Sequence, residues 1–164
     1  MRVFMVKASS TFRMILKSVL TRFPILRQVD ANMISGLSLA LTPIAYLLLS
    51  ERAILASIVT IFLVLLLDLL DGIVAHAKGQ TSSKDGWMVD VTVDRISEAI
   101  ISLALSRVFI LFTILNMGLA LLSYHYEKHA IIPLRQAILL ILIAYYVLQS
   151  QPAFSFLDQI LFYW

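Results

Sequence analysis

Cysteine is absent from this chain of 164 residues, and charged residues are scarce. Without cysteine, neither a disulfide framework nor a cysteine-ligated zinc site is possible. Asp, Glu, Lys and Arg make up 14% of the residues, whereas they make up about a quarter of a typical soluble domain. Hydrophobic residues make up 60%, and the mean hydropathy is +0.92. This composition predicts an all-α integral membrane protein.

The N-terminal segment has no clean apolar run, which argues against a signal peptide. Its basic residues are interspersed with an apolar stripe of helical period. This pattern predicts an amphipathic interfacial helix in residues 1–30, lying on the inner leaflet and followed by a transmembrane domain in residues 31–164. The stripe consists of Phe12, Ile15, Leu16, Val19, Leu20 and Phe23.

The apolar segments after residue 30 predict six transmembrane helices, of which the sixth is short. Asp30 and Asn32 predict a helix cap before the first span, and Glu51-Arg52 predicts a tight turn after it. Residues 151–164 would be only about 21 Å long as a helix, so a re-entrant or interfacial segment is the alternative there. The other spans are expected near residues 33–50, 53–77, 86–106, 108–124 and 131–150.

The positions of the basic residues predict the orientation in the membrane. Six of the 13 Lys and Arg residues lie in the first 27 residues. By the positive-inside rule, the N-terminus then lies in the cytoplasm. The net charge of +3 is explained by this topology, and we expect no nucleic-acid partner. The outer side holds Arg52 and Arg107, and the inner side also holds Lys78, Lys84, Lys128 and Arg135.

Four aspartates interrupt the second and third spans near their predicted cytoplasmic ends. Asp68 and Asp71 are three residues apart, and Asp90 and Asp94 are four apart, so each pair lies on one helix face. Carboxylates at membrane depth are costly unless they are paired or bind metal. Four of them together would repel one another, and Mg²⁺, Mn²⁺ or Ca²⁺ would relieve that repulsion. The alternative is that they are polar helix ends in solvated loops.

The segment around these aspartates reads Asp68-x2-Asp71-Gly72-x2-Ala75-His76-x9-Gly86-x3-Asp90-x3-Asp94. It resembles the signature of the CDP-alcohol phosphotransferase family, Asp-x2-Asp-Gly-x2-Ala-Arg-x8–9-Gly-x3-Asp-x3-Asp. One fixed position differs, because His76 stands where the family has Arg. The resemblance implies a membrane enzyme of phospholipid synthesis, which transfers a phospho-lipid group from a CDP-alcohol to an acceptor hydroxyl and releases CMP.

The resemblance also implies roles for the individual residues of the motif. Two divalent cations, Mg²⁺ or Mn²⁺, would be held by Asp68, Asp71 and Asp90, with Asp94 beside the second one. Asp94 would act as the general base on the acceptor hydroxyl, in a site on the cytoplasmic side. Family members form homodimers, so we expect one here. The nucleotide-binding residues implied are Asp68, Gly72, Ala75, His76 and Gly86.

The acceptor is suggested by a second stretch. Asp94-Arg95-x2-Glu98 is similar to a motif of the branch that makes phosphatidyl- or archaetidyl-inositol phosphate. Ser123-Tyr124 is similar to the start of a second motif of that branch, in which Tyr126 takes the place of the first Arg. This similarity implies inositol 1-phosphate as acceptor and CDP-diacylglycerol or CDP-archaeol as donor. The alternative acceptors are glycerol 3-phosphate and another polar alcohol. The candidate acceptor-binding residues are Lys84, Arg95, Lys128 and Arg135.

Other interpretations of these residues stay open. Arg95 is expected either to bind the acceptor phosphate or to pair with Glu98 or an aspartate within the membrane. Lys84, Lys128 and Arg135 fit either acceptor binding or membrane topology. The substitutions at His76 and Tyr126 also fit a degenerate, non-catalytic family member. Intramembrane carboxylates alone would fit a cation transporter, a more distant alternative because no internal repeat is evident.

Overall fold

The computed structural model describes residues 30–77, 84–126, 132–149 and 156–162. Within these ranges the chain forms six α-helices and no strand, which confirms the all-α prediction. The amphipathic helix predicted in residues 1–30 lies outside the described residues, except for Asp30. The helices are α1 (Ala31–Ser50), α2 (Ile54–Ala77), α3 (Lys84–Leu103), α4 (Arg107–Tyr126), α5 (Leu134–Leu148) and α6 (Phe156–Phe162).

The start and end of α1 follow the sequence prediction. The Asp30 side chain accepts a hydrogen bond of 3.2 Å from the backbone N–H of Asn32, and thereby caps the helix. Glu51 and Arg52 form the predicted tight turn, and Arg52 adopts a positive φ of 55°. Because this turn is so short, α2 returns antiparallel along α1.

Two of the helices are long and apolar enough to cross a membrane by length and composition: α1 and the Ile54–Ala75 part of α2. The apolar parts of α4 and α5, Arg107–Leu122 and Leu134–Leu148, are shorter. Large apolar side chains also face outwards, such as Leu111 and Leu121, which are 67% and 73% exposed. Outward-facing leucines of this kind are typical of a lipid-facing surface. The full count of six transmembrane helices stays a prediction.

A close-packed apolar core fills the end of the bundle where α1 and α3 finish. Leu49, Ile101 and Leu142 are fully buried there, together with Ile61 and Leu105. The short helix α6 closes this end with Leu161 and Phe162. We call this region the apolar end of the bundle.

Helix packing gathers the motif residues at the opposite end. α1 packs along α2 and also against α3, while α2 contacts α5 and α3 contacts α4. The last third of α2, the first half of α3 and the start of α5 therefore lie side by side. We call this region the polar end.

Candidate active site

Arg135 joins two of the predicted site carboxylates. It is the second residue of α5, and its Nη1 forms an ion pair with Asp68 Oδ2 of α2. Its Nη2 donates a hydrogen bond of 2.5 Å to Asp94 Oδ1 of α3. The Arg135 side chain is 5% exposed, whereas Asp68 is 16% and Asp94 37% exposed. The two aspartates thus share one buried cation, as charges away from water require.

Hydroxyl groups of α1 contact Asp68 and a further motif carboxylate, Asp71. Ser35 Oγ donates to Asp71 Oδ2 and Ser38 Oγ donates to Asp68 Oδ1, each at 2.5 Å. Both serines are buried. Asp68 is therefore held between a hydroxyl at one oxygen and a guanidinium at the other.

A second buried group of charges lies next to Asp94. Arg95 Nη1 forms an ion pair of 2.5 Å with Glu98 Oε2, one turn along α3. Asn116 Nδ2 of α4 is 2.9 Å and 3.1 Å from the two Glu98 carboxylate oxygens. Glu98 and Asn116 have no exposed surface. The pairing of Arg95 with Glu98, one of the two roles expected for Arg95, is present.

Asn116 also fixes the segment that leads into α5. Its Nδ2 donates to the Ile132 carbonyl at 2.8 Å, and its Oδ1 accepts from the Ile132 N–H at 3.0 Å. This double contact sets where the chain begins α5, and Arg135 follows three residues later.

A cavity of about 140 Å³ opens beside these groups. Asp94, Arg95 and Glu98 line it from α3, and residues 132–136 line it from the start of α5. The Nε of Arg95 is buried and has no hydrogen-bond partner within the described part of the chain. Two carboxylates and two guanidinium groups thus line the cavity.

The remaining predicted site residues are only partly described. Gly72 lies on an exposed part of α2, and a Cβ added there would meet no atom of another described segment within 4 Å. Ala75 is half-buried against the small cluster of Ala31, Ile34 and Val74. The backbones of His76, Lys84, Gly86 and Asp90 lie in helices, but their side chains are outside the described residues, and Lys128 is outside them altogether.

The model of the family described as CDP-alcohol phosphatidyltransferase matches residues 29–164. This match covers most of the chain. The chain belongs to the CDP-alcohol phosphatidyltransferase family. No curated protein and no solved structure matches it significantly.

Membership of the CDP-alcohol phosphatidyltransferase family implies a transferase of phospholipid biosynthesis, which moves a phosphatidyl group from a CDP-alcohol to an acceptor. Together with the two long apolar helices, it indicates a membrane protein. The resemblance on which the sequence prediction depended is therefore confirmed at the level of the family.

The donor atoms at the polar end fit the divalent cations that such a family requires. Carboxylate oxygens are the ligands preferred by Mg²⁺ and Mn²⁺. Asp68 Oδ2 is buried and forms no hydrogen bond within the described residues, so its charge is met by the Arg135 guanidinium. Among the described side chains, no three carboxylate or histidine groups are close enough to hold a metal ion. The Asp90 side chain, a predicted ligand, is not one of those described.

Sequence reasoning missed three polar residues of this region: Ser35, Ser38 and Asn116. The two serines are three residues apart in an otherwise apolar helix, and Thr42 continues the same face. That spacing was the available signal, since it places hydroxyls on one side of α1. Asn116 gave no such signal, because it is a single amide in α4 whose partners lie on α3 and before α5.

Proposed function

We propose that this chain transfers the phospho-lipid group of CDP-diacylglycerol or CDP-archaeol to the hydroxyl of a small polar alcohol, with inositol 1-phosphate as the first candidate, and releases CMP. The observation that carries the proposal is the meeting of Asp68 and Asp94, from two different helices, at the buried guanidinium of Arg135. Both aspartates occupy fixed positions of the family signature.

Two divalent cations, Mg²⁺ or Mn²⁺, belong to this proposal, with Asp68, Asp71, Asp90 and Asp94 as the residues that would hold them. When bound, such ions neutralise charge on the phosphate and on the leaving oxygen. Support comes from the chemistry of the carboxylates and from the buried Oδ2 of Asp68.

Asp94 is proposed as the general base. It is the most exposed of the carboxylates that contact Arg135, and it lines the cavity. Its carboxylate takes the proton of the acceptor hydroxyl while the acceptor oxygen forms a bond to the lipid-bearing phosphorus and the phosphorus–oxygen bond to CMP breaks. The hydrogen bond from Arg135 fixes the orientation of the Asp94 carboxylate.

The CDP group is proposed to lie along α2 and α3 at Asp68, Gly72, Ala75, His76 and Gly86. Support comes from Gly72, since the space beside its Cα is open. A larger side chain there would project into the volume that a ribose or pyrophosphate would occupy. Asp68 lies one turn before Gly72 on the same helix.

The acceptor is proposed to enter the cavity beside Arg95 and Arg135, with Lys84 and Lys128 as further ligands. The unpartnered Nε of Arg95 favours an acceptor that carries a phosphate, because it is a buried donor in need of an acceptor atom. Inositol 1-phosphate and glycerol 3-phosphate would each supply phosphate oxygens that accept a hydrogen bond from this nitrogen.

The arrangement in the membrane completes the proposal. We propose that residues 1–30 form an amphipathic juxtamembrane helix and residues 31–164 the transmembrane catalytic domain, with the N-terminus and the polar end in the cytoplasm and two copies forming a homodimer.

Because the chain has no cysteine, single-cysteine variants report this orientation directly. A cysteine at Ser82 should react with an impermeant maleimide only from the cytoplasmic side, and one at Glu51 only from the outside. The reverse pattern would contradict the orientation.

The reaction is tested by release of CMP from purified full-length protein. CDP-diacylglycerol and CDP-archaeol are each supplied with Mg²⁺ or Mn²⁺ and with inositol 1-phosphate, glycerol 3-phosphate or serine. The proposal predicts release that requires both the metal and a phosphate-bearing acceptor. If wild type is inactive throughout but His76→Arg is active, the degenerate alternative is correct; inactivity of both contradicts the enzyme.

A further inference from the structure

We propose that Ser35 and Ser38 of α1 are positioning residues for the metal site, each orienting one of the carboxylates that hold the cations. This inference rests on the proposed metal-dependent function. Both serines lie outside the family signature, which runs from Asp68 in α2 to Asp94 in α3. They add a third helix, α1, to the site.

The two oxygens of the Asp68 carboxylate have different partners. Ser38 Oγ donates to Asp68 Oδ1, while Asp68 Oδ2 points to the Arg135 guanidinium and forms no hydrogen bond within the described residues. The serine therefore holds the oxygen that faces α1 and leaves the other free to meet a positive charge. Ser35 Oγ donates to Oδ2 of Asp71.

The ordinary role of a hydroxyl in an apolar helix is a hydrogen bond to the carbonyl four residues earlier. Thr42 has this role, since its Oγ1 lies 3.1 Å from the Ser38 carbonyl. Ser35 Oγ is 3.2 Å from the Ala31 carbonyl but 2.5 Å from Asp71. A hydroxyl has one proton to donate, and a carboxylate is the stronger acceptor, so the proton of Ser35 goes to Asp71.

Ser38 departs further from the ordinary role. Its alternative acceptor is the Val64 carbonyl of α2, at 3.4 Å, and the carboxylate of Asp68 is closer by almost an ångström. Ser38 has no exposed surface, so water would not replace its hydroxyl if the side chain were removed. Loss of the hydroxyl would leave Asp68 held, among the described residues, only by Arg135 at Oδ2, with Oδ1 no longer fixed from α1.

Groups that hydrogen-bond metal ligands fix ligand orientation, and their removal commonly lowers metal affinity by about 10- to 100-fold. We expect a loss of this size for Ser38→Ala and for Ser35→Ala. The matched control is Thr42→Ala, because Thr42 is buried on the same face of α1 but contacts Ser97, at 2.9 Å, and no carboxylate among the described side chains.

The experiment is a titration of purified full-length protein with Mn²⁺, with free Mn²⁺ followed by electron paramagnetic resonance. Thermal unfolding and CMP release are measured on the same samples. We expect weaker Mn²⁺ binding in Ser38→Ala and Ser35→Ala, unchanged binding in Thr42→Ala, and recovery to within a few-fold of wild type in the hydroxyl-retaining Ser35→Thr. The metal concentration for half-maximal CMP release should shift in parallel.

Unchanged Mn²⁺ affinity in both alanine variants would overturn the inference while leaving the proposed function intact. An equal loss in Thr42→Ala would also overturn it, because the effect would then come from helix packing. If wild type itself neither binds Mn²⁺ nor releases CMP, the proposed function fails and this inference fails with it. If Ser38→Ala does not fold, the comparison of Ser35→Ala with Ser35→Thr decides.

Discussion

At the apolar end of the bundle, Leu49, Ile101 and Leu142 pack together without exposed surface, whereas at the polar end Arg135 is enclosed by Asp68 and Asp94. The same helices α2, α3 and α5 contribute to both ends. Each helix thus changes from apolar to charged along its length.

The two ends differ in how much they contribute to the stability of the fold. Burial of a leucine or isoleucine side chain contributes about 1.5–3 kcal/mol, while a buried ion pair often contributes nothing net, because desolvation offsets the attraction. The buried charges of Arg95, Glu98 and Arg135 therefore add little net stability, and the apolar end supplies most of it. Three pairs of variants test this division.

The largest effect is expected from a carboxylate at the polar end. Asp94→Asn removes the proposed base, and general-base catalysis contributes about 10²- to 10⁴-fold. We expect CMP release to fall by that factor while binding of the CDP-lipid is retained.

The matched control for that variant is Asp158→Asn, which changes a carboxylate at the apolar end that accepts a hydrogen bond of 2.6 Å from Tyr145. Its turnover should equal that of wild type. Comparable losses in the two variants would mean that the two ends do not differ in function.

The next effect concerns stability at the apolar end. Leu142→Ala should lower the free energy of unfolding by about 2–5 kcal/mol, because it opens a cavity at a fully buried position. The folded fraction should keep the wild-type KM for donor and acceptor. Equilibrium titration with SDS in mixed micelles measures the first quantity. Leu140→Ala, at an exposed position of the same helix, is the control and should change stability little.

A smaller effect is expected where the two ends meet, at Asn116. Asn116→Leu leaves Glu98 without its amide partner and should lower the free energy of unfolding by about 1–3 kcal/mol. Because Asn116 also fixes Ile132, ahead of Arg135, the acceptor KM should rise. Thr113→Val is the control, since it removes a buried contact of the same helix, with Ser102. An unchanged acceptor KM in Asn116→Leu would show that Asn116 serves stability alone.

The sequence was a good guide wherever the determining pattern is local. The cap at Asp30 and the turn at Glu51-Arg52 depend on neighbouring residues, and both were predicted. Helical spacing predicted that each aspartate pair shares one helix face, and Asp68 of α2 and Asp94 of α3 both contact Arg135. The starts of two helices were predicted less accurately. The helix α3 begins at Lys84, two residues before the predicted Gly86, and α5 begins at Leu134, three residues after the predicted start at residue 131.

Contacts between distant segments could not be predicted from the local sequence pattern. Arg135 had been left open between acceptor binding and membrane topology, and its ion pairs with Asp68 and Asp94 depend on how α5 packs against α2 and α3. The same holds for Asn116, which joins α3, α4 and the start of α5. A single polar residue in an apolar helix has a partner only once the helices are packed.

The most direct test of the central claim is the ratio of CMP released to phospholipid formed. The reaction contains wild-type protein, CDP-lipid, Mn²⁺ and either inositol 1-phosphate or glycerol 3-phosphate. Both products are measured by mass spectrometry in the same reaction. Direct transfer at the polar end predicts equal amounts of the two products, and neither product without an acceptor. CMP release without new phospholipid, or no product with any acceptor, would contradict the account.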